Sequence, residues 1–191
     1  MDIGCGDGQF VLDQARRHPD TLCVGIDASC DAMRDASRRA ASKPSRGGVP
    51  NALFLCSSLE QLPAEFCRVA TRITINYPWG SLLAAVVKPD IQALQILQSL
   101  ARPDAEFTAY INYSVFEDEA YAARIGLPKL DLARAKKELP RLYQQAGLKL
   151  HHVGLIEGES PVRTTWGQKL TKASQRKVLM LQGIYETHSS R

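Results

Sequence analysis

The chain of 191 residues lacks several features that would set it apart from ordinary globular proteins. It has no apolar run of the ~18 residues that a transmembrane helix needs, no signal-peptide pattern, no internal repeat and no low-complexity segment. Its five cysteines form no C-x-x-C pair. We therefore expect reduced cysteines in the core, with neither a disulfide framework nor a bound metal, in one soluble, cytoplasmic domain that spans residues 1–191.

The chain also lacks an evident nucleophile–base pair and a strong net charge. Its four histidines, His18, His151, His152 and His188, form no evident Ser-His-Asp or Cys-His arrangement, so we expect them on the surface. The net charge of +4 and the isoelectric point of about 8.8 permit a nucleic-acid partner but do not require one. An apolar fraction of 45% is sufficient for a sizeable core.

The apolar pattern that is present predicts alternating strands and helices. Helices are predicted over 9–18, 31–42, 90–101 and 131–146, and strands over 22–26, 51–56, 72–77, 107–113, 148–156 and 178–185. The first strand is almost missing, because only residues 1–3 precede the first glycine whereas an average strand has about 5–6 residues. We expect the true start of the reading frame to lie upstream.

A glycine-rich turn opens the chain, with the sequence Asp2-Ile3-Gly4-Cys5-Gly6-Asp7-Gly8. A turn of this kind leaves bare backbone against which a ligand can lie. The acidic residue two positions before the first glycine gives D-x-G-x-G-x-G, the pattern of S-adenosylmethionine (SAM) binding loops. A glycine turn alone is also compatible with a purely structural role.

Asp27 ends the second predicted strand. In nucleotide-binding α/β folds an acidic residue at this tip accepts hydrogen bonds from the two ribose hydroxyls. The alternative is that Asp27 caps the helix that follows, although Ser29 could fill that role equally well. Together with the glycine turn, Asp27 predicts a SAM-type or NAD-type site.

Two later loops should meet the same site, because each follows the carboxyl end of a strand. Ser58, Leu59 and Glu60 stand where SAM enzymes hold adenine, with a helix N-cap as the alternative reading. The segment from Asn76 to Ser81 should border the reactive methyl group. It includes Trp79 in a Pro-Trp-Gly turn, where an aromatic ring suits stacking on a base, or else packs beneath the loop.

Basic residues cluster over 34–46, on the second helix and the loop after it. This cluster is either a solvated face or a surface for a phosphate backbone. Two longer insertions, 114–130 and 157–177, are predicted to face a substrate, and the first is long enough to overlie the site.

These segments resemble the 16S rRNA adenine-N1 methyltransferases that confer aminoglycoside resistance of the kanamycin–apramycin type. The resemblance rests on the glycine turn, on Gly25-Ile26-Asp27, on Lys43-Pro44-Ser45-Arg46-Gly47-Gly48, on Tyr77-Pro78-Trp79-Gly80-Ser81-Leu82-Leu83, on Gly126-Leu127-Pro128, and on Trp166 before a basic stretch. The lysine-proline and tryptophan segments are far more specific than the glycine turn.

The resemblance implies a class I SAM-dependent methyltransferase fold, a Rossmann-like α/β sheet of seven strands with the last strand antiparallel. It implies that SAM is held by Asp2, Gly4, Gly6, Asp27, Ser58, Leu59, Glu60, Asn76, Tyr77, Pro78, Ser81 and Thr164. It implies a decoding-site adenine, flipped from helix 44 of 16S rRNA in the 30S subunit and clamped between Trp79 and Trp166. The RNA-binding residues it implies are Arg39, Lys43, Arg46, Lys169 and Arg176.

The implied chemistry needs no general base, because adenine N1 has a lone pair that attacks the sulfonium methyl directly. Orientation is then the main contribution to the rate and can supply ~7–11 kcal/mol. We expect a monomeric enzyme that methylates this adenine and so confers aminoglycoside resistance. Two other hypotheses stay open at this point: a tRNA guanine-N7 methyltransferase, and a non-catalytic remnant that binds RNA or SAM.

Overall fold

The computed structural model describes residues 1–89, 91–158, 160–162 and 177–186. Within this part of the chain seven strands form one sheet. They are β1 (Asp2–Ile3), β2 (Cys23–Asp27), β3 (Ala52–Cys56), β4 (Ala70–Asn76), β5 (Ala101–Asn112), β6 (Leu148–Ile156) and β7 (Val178–Tyr185). Their order across the sheet is β3-β2-β1-β4-β5-β7-β6.

The first five strands are parallel, whereas β7 runs antiparallel to both β5 and β6. The implied seven-stranded α/β sheet with an antiparallel last strand is therefore confirmed. The strands β3, β2, β1 and β4 are neighbours in this order, and because they are parallel their carboxyl ends lie at one edge of the sheet. In open α/β sheets this edge is the place where ligands bind.

Seven α-helices accompany the strands in the described residues. They are α1 (Gln9–Arg17), α2 (Cys30–Ala40), α3 (Gly80–Val87), α4 (Ile91–Leu100), α5 (Ser114–Glu117), α6 (Glu119–Arg124) and α7 (Leu132–Gln144). The helix α3 was not among the predicted elements. The insertion over 114–130 contains the short helices α5 and α6.

The helix α7 shows how the sequence sets a helix on the sheet. Its buried side chains Ala135, Leu139 and Tyr143 recur every four residues and so form one apolar stripe. Asp131 caps the helix by accepting a hydrogen bond from the backbone N–H of Arg134 at 2.7 Å. The buried Tyr143 hydroxyl donates to the Val86 carbonyl at 2.9 Å, which ties α7 to the end of α3.

The first strand has two of the three residues that precede Gly4, and the backbone of Met1 continues its pairing. The Met1 ammonium group donates to the Arg72 carbonyl at 2.6 Å, and the Met1 carbonyl accepts from the Thr74 N–H at 2.8 Å. Met1 thereby extends the contact between β1 and β4.

The expectation of reduced core cysteines is wrong for Cys30 and Cys56, which form a disulfide. The two residues are 26 positions apart in the chain, and the parallel pairing of β2 with β3 brings the start of α2 next to the end of β3. Cys5 is buried and free, whereas the free Cys67 is exposed rather than in the core. Across the described residues, none of the helices combines the length and the apolar character that a membrane span requires.

Candidate functional site

A cavity of about 420 Å³ lies at the carboxyl edge of β1, β2, β3 and β4. Eleven of the twelve predicted cofactor-binding residues line it: Asp2, Gly4, Gly6, Asp27, Ser58, Leu59, Glu60, Asn76, Tyr77, Pro78 and Ser81. The twelfth, Thr164, lies outside the described residues. The structure thus brings together four segments that the sequence places up to 79 positions apart.

The glycine turn forms one wall of the cavity with a backbone that favours glycine. Gly4 has φ +71°, and a Cβ placed on it would lie 2.5 Å from Cδ2 of Leu82 in α3. Gly6 has φ +54°, and a Cβ there would meet nothing within 4 Å. Gly4 is therefore needed for close packing against α3, whereas Gly6 leaves open space for a ligand.

The carboxylate of Asp27 is fixed from two sides by backbone amides. The Gly6 N–H donates to Oδ2 at 2.8 Å, and the Ser29 N–H donates to Oδ1 at 2.8 Å. Ser29 is the N-cap residue of α2, but its side chain makes no cap hydrogen bond, and the carboxylate of Asp27 accepts the Ser29 N–H instead. Each oxygen of Asp27 keeps a second lone pair, which can still accept a hydrogen bond from a ligand.

A buried polar cluster joins β1 to β4 beneath the cavity. Oδ1 of Asp2 accepts hydrogen bonds from Thr74 Oγ1 at 2.6 Å and from Asn76 Nδ2 at 2.7 Å. Burial raises the pKa of Asp2 to about 6, although these two hydrogen bonds partly oppose the shift. Asn76 Oδ1 has no hydrogen-bond partner among the described residues, and a buried acceptor in that state favours a ligand that donates to it.

The loop after β3 closes the side of the cavity next to Asp27. A 3₁₀ turn over Leu59–Gln61 follows Ser58, whose side chain makes no cap hydrogen bond. The Ser57 N–H donates to the Asp27 carbonyl at 3.0 Å, and the disulfide between Cys30 and Cys56 holds the same corner. No cysteine motif in the sequence predicts this cross-link.

The loop after β4 contributes Trp79, which lines the cavity although the residue is 40% exposed. Just before it, Tyr77 is buried with φ +51°, a left-handed backbone that bulky residues rarely adopt and that costs about 1–3 kcal/mol. Leu82 and Ala85 also line the cavity and were not predicted, because α3 itself was not. The second predicted stacking residue, Trp166, lies outside the described residues.

Carboxylates dominate the charge of the cavity. Asp2, Asp7, Asp27 and Glu60 line it, and none of its described lining residues is lysine, arginine or histidine. A cavity with this lining favours a cationic ligand and disfavours the diphosphate of a dinucleotide. The NAD-type alternative therefore fits the cavity less well than SAM, whose sulfonium and ammonium groups give it a net positive charge.

Arg39, Lys43 and Arg46 are exposed on α2 and on the turn that follows it. Nη1 of Arg39 donates to Gln9 Oε1 at 3.3 Å, whereas Lys43 and Arg46 form no ion pair with any described carboxylate. The remaining predicted RNA-binding residues, Lys169 and Arg176, lie outside the described residues.

The other cations of α2 are already paired on their own helix. Arg34 contacts Asp31, and Arg38 contacts Asp35 at 2.8 Å, each one helical turn away. The five basic residues of the 34–46 cluster thus divide into two that pair on their own helix and three that form no ion pair with a described carboxylate.

Comparison with known proteins gives consistent matches over nearly the whole chain. The family model described as NpmA, 16S rRNA (adenine(1408)-N(1))-methyltransferase, matches residues 1–185. An enzyme of that name from Escherichia coli is 30% identical over 191 residues, 98% of this chain and 87% of its own length. Another from Streptoalloteichus hindustanus is 32% identical over 187 residues, 96% of this chain and 85% of its own length.

The chain is also similar to solved structures of methyltransferases. The antibiotic-resistance methyltransferase Kmr is 44% identical with a TM-score of 0.80, and the match covers 98% of this chain and 86% of that one. A variant of the 16S rRNA (adenine(1408)-N(1))-methyltransferase from Catenulisporales acidiphilia, solved with its cosubstrate SAM, is 28% identical with a TM-score of 0.88 over 100% of this chain and 86% of that one. By contrast, a tRNA (guanine-N(7)-)-methyltransferase from Rubrobacter xylanophilus matches only 62 residues, 32% of this chain.

Proposed function

The chain belongs to the family of 16S rRNA (adenine(1408)-N(1))-methyltransferases, and we propose that it acts on the 30S subunit as a cytoplasmic monomer. It is a SAM-dependent enzyme that methylates N1 of the decoding-site adenine in 16S rRNA and thereby confers aminoglycoside resistance. The observation that best supports the proposed use of SAM in this cavity is its acidic lining together with Asn76 Oδ1, which has no hydrogen-bond partner among the described residues.

The residues of the cavity fit SAM in shape and in charge. Gly4 and Gly6 offer backbone without side chains, Asp27 suits the ribose hydroxyls, and Ser58 to Glu60 suit the adenine. Asp2 and Asn76 suit the ammonium group, since Asp2 provides a carboxylate and Asn76 an acceptor oxygen that no described residue engages. When bound, SAM supplies the methyl group as the electrophile of the reaction.

On the RNA side, we assign base stacking to Trp79 and to Trp166, with Thr164 at the cofactor and Arg176 at a phosphate. Extruding a base costs a few kcal/mol. Stacking of the base on aromatic rings offsets this cost by roughly 1–3 kcal/mol per base. The partial exposure of Trp79, which also lines the cavity, supports this role, because a stacking residue must be accessible to the RNA.

Docking on the ribosomal subunit falls to the exposed cations Arg39, Lys43 and Arg46, together with Lys169. Contacts with phosphates position an RNA-binding protein without reading sequence, so they suit recognition of a folded surface. The absence of ion pairs at Lys43 and Arg46 among the described residues supports this assignment, because their charges are not already neutralised.

The proposal is tested by incubating the protein with SAM that carries a labelled methyl group and with purified 30S subunits, naked 16S rRNA or tRNA. Primer extension then maps the modified base. We expect incorporation with 30S subunits and a stop at the decoding-site adenine. Labelling of naked 16S rRNA alone would reject the 30S substrate, and labelling of tRNA alone would favour the guanine-N7 alternative.

A further inference from the structure

Tyr77 stands between the cofactor cavity and a second segment, residues 160–162. Its backbone has φ +51° and its N–H donates to the Tyr110 carbonyl at 2.7 Å, which holds the tip of β4 against β5. A left-handed conformation at a buried aromatic residue persists only where the surroundings enforce it. The contacts of its side chain supply that enforcement.

A directed pair of hydrogen bonds leads away from the Tyr77 hydroxyl. The hydroxyl oxygen of Tyr77 lies 2.6 Å from Ser160 Oγ. Ser160 Oγ in turn donates to the Val162 carbonyl at 2.6 Å. Serine has a single hydroxyl hydrogen, so once that hydrogen is given to Val162, Ser160 can only accept from Tyr77. The phenol is therefore the donor, and burial raises the pKa of Tyr77, which keeps it protonated.

The ring of Tyr77 packs on both flanks of the same connection. Tyr77 and Val178 are buried together, with Tyr110, Ile156 and Val162 packed against them. Ile156 ends β6 and Val178 begins β7, so the two ends of the polypeptide between these strands converge on one side chain. The sequence reaches Thr164 and Trp166 shortly beyond Val162.

We propose that Tyr77 is a positioning residue, whose hydroxyl acts through Ser160 to hold residues 160–162 in a fixed relation to the cofactor cavity. This inference rests on the proposed function, because the fixed relation matters for an RNA substrate that must contact both the cavity and the connection after β6. It assigns a role to Ser160 and moves the Tyr77 hydroxyl from binding cofactor to placing substrate.

The test uses two variants that delete the hydrogen bond, Tyr77→Phe and Ser160→Ala, and one that keeps a hydroxyl, Ser160→Thr. The matched control is Tyr110→Phe, since Tyr110 packs in the same cluster but its hydroxyl has no partner among the described residues. We measure SAM affinity by calorimetry, kcat and KM with 30S subunits, and hydrogen exchange of the peptide that contains residues 160–162.

We expect Tyr77→Phe and Ser160→Ala each to lower kcat/KM for 30S subunits by about tenfold, the size that a lost hydrogen bond with slight misplacement produces. SAM affinity should stay within about twofold, since no group toward the cofactor is removed. The double variant should be no worse than either single one, because both delete the same interaction. Ser160→Thr and Tyr110→Phe should resemble the wild type.

Amide exchange at residues 160–162 should be faster in both deletion variants and unchanged in Tyr110→Phe. Unchanged exchange, or a loss of SAM affinity that matches the loss of activity, would overturn the positioning role. Failure of the wild-type protein to methylate 30S subunits would instead reject the proposed function, and the exchange experiment would still decide whether Tyr77 holds this segment.

Discussion

The two sides of the cavity differ in how far their polar groups are satisfied by the chain itself. At the end of β2, both oxygens of Asp27 accept backbone N–H groups and a disulfide holds the adjacent corner. At the end of β4, Asn76 Oδ1 has no partner among the described residues and Tyr77 keeps a left-handed backbone. We infer that the β2 side is prepared before ligands bind, whereas the β4 side is completed by the cofactor and the RNA.

The largest expected effect is a loss of stability when the disulfide on the β2 side of the cavity is removed. Replacing Cys30 and Cys56 with serine should lower the free energy of unfolding by about 3 kcal/mol, because the cross-link restricts the unfolded chain. Urea denaturation of the oxidised protein measures the change, with the exposed Cys67→Ser variant as the control. Five alkylated thiols in the unreduced, denatured protein would show that the disulfide is absent.

This disulfide also shows where prediction from sequence ends. The strands β6 and β7 have the predicted bounds, and the glycine turn and Asp27 lie at one cavity as predicted, because apolar runs and turn residues encode local structure. The pairing of Cys30 with Cys56 depends on how β2 and β3 align, and the contact between Tyr77 and Ser160 joins residues 83 positions apart. No local pattern encodes contacts of that kind.

The helix α3 escaped prediction for a local reason. Its first residue, Gly80, has φ +56°, and the preceding Pro-Trp-Gly sequence is typical of a turn rather than of a helix start. The helix is stabilised by the burial of Leu83, Val86 and Val87 rather than by a capping side chain. Such tertiary packing is visible only once the sheet has been assembled.

The second-largest expected effect concerns the β4 side of the cavity. Trp79→Ala should reduce the rate of 30S methylation by roughly 100-fold, the upper end of what one aromatic stack contributes. SAM affinity, measured by calorimetry, should change by no more than about threefold, because stacking concerns the RNA base. Trp79→Phe keeps a ring and should retain much of the activity. A parallel loss of SAM affinity would assign Trp79 to the cofactor instead.

A smaller effect should follow from Asp27→Ala on the prepared side. We expect the Kd for SAM to rise about 30-fold, since a carboxylate that accepts ribose hydroxyls forms charge-assisted hydrogen bonds. Asp27→Asn retains one acceptor oxygen and should weaken binding less. Saturating SAM should restore most of the methylation rate of both variants. If the rate stayed low at saturation, Asp27 would contribute to more than cofactor binding.

The smallest of these effects is a pH dependence that arises at Asp2. Burial raises its pKa from 3.8 to about 6, and a cationic ligand prefers the ionised carboxylate. The Kd for SAM should therefore rise about tenfold as the pH falls from about 7 to about 5. In calorimetric titrations, the Asp2→Asn variant should lose this dependence, and an unaltered profile would assign the titration to another group.

The contribution of Asp2 to the stability of the folded chain should fall as the pH rises, whereas the affinity for SAM should increase. The pKa of Asp2 is about 6 in the folded chain and 3.8 in the unfolded chain. Between pH 3.8 and about 6 the folded chain therefore binds more protons than the unfolded chain does. The contribution of Asp2 to the free energy of unfolding is therefore largest at low pH and falls as the pH rises through about 6. Denaturation curves at several pH values separate this trend from the loss of SAM binding.

Because Arg34 and Arg38 already face carboxylates on their own helix, the formal number of cations on α2 overstates how many small ions are released when the protein meets RNA. Each phosphate neutralised by an uncommitted cation contributes about 0.7–0.9 to the slope of log affinity against log salt concentration. Arg46 should contribute more to that slope than Arg34, which must first leave Asp31. The ionic-strength dependence of ribosome binding is thus set by the arrangement of charges along one helix rather than by their sum.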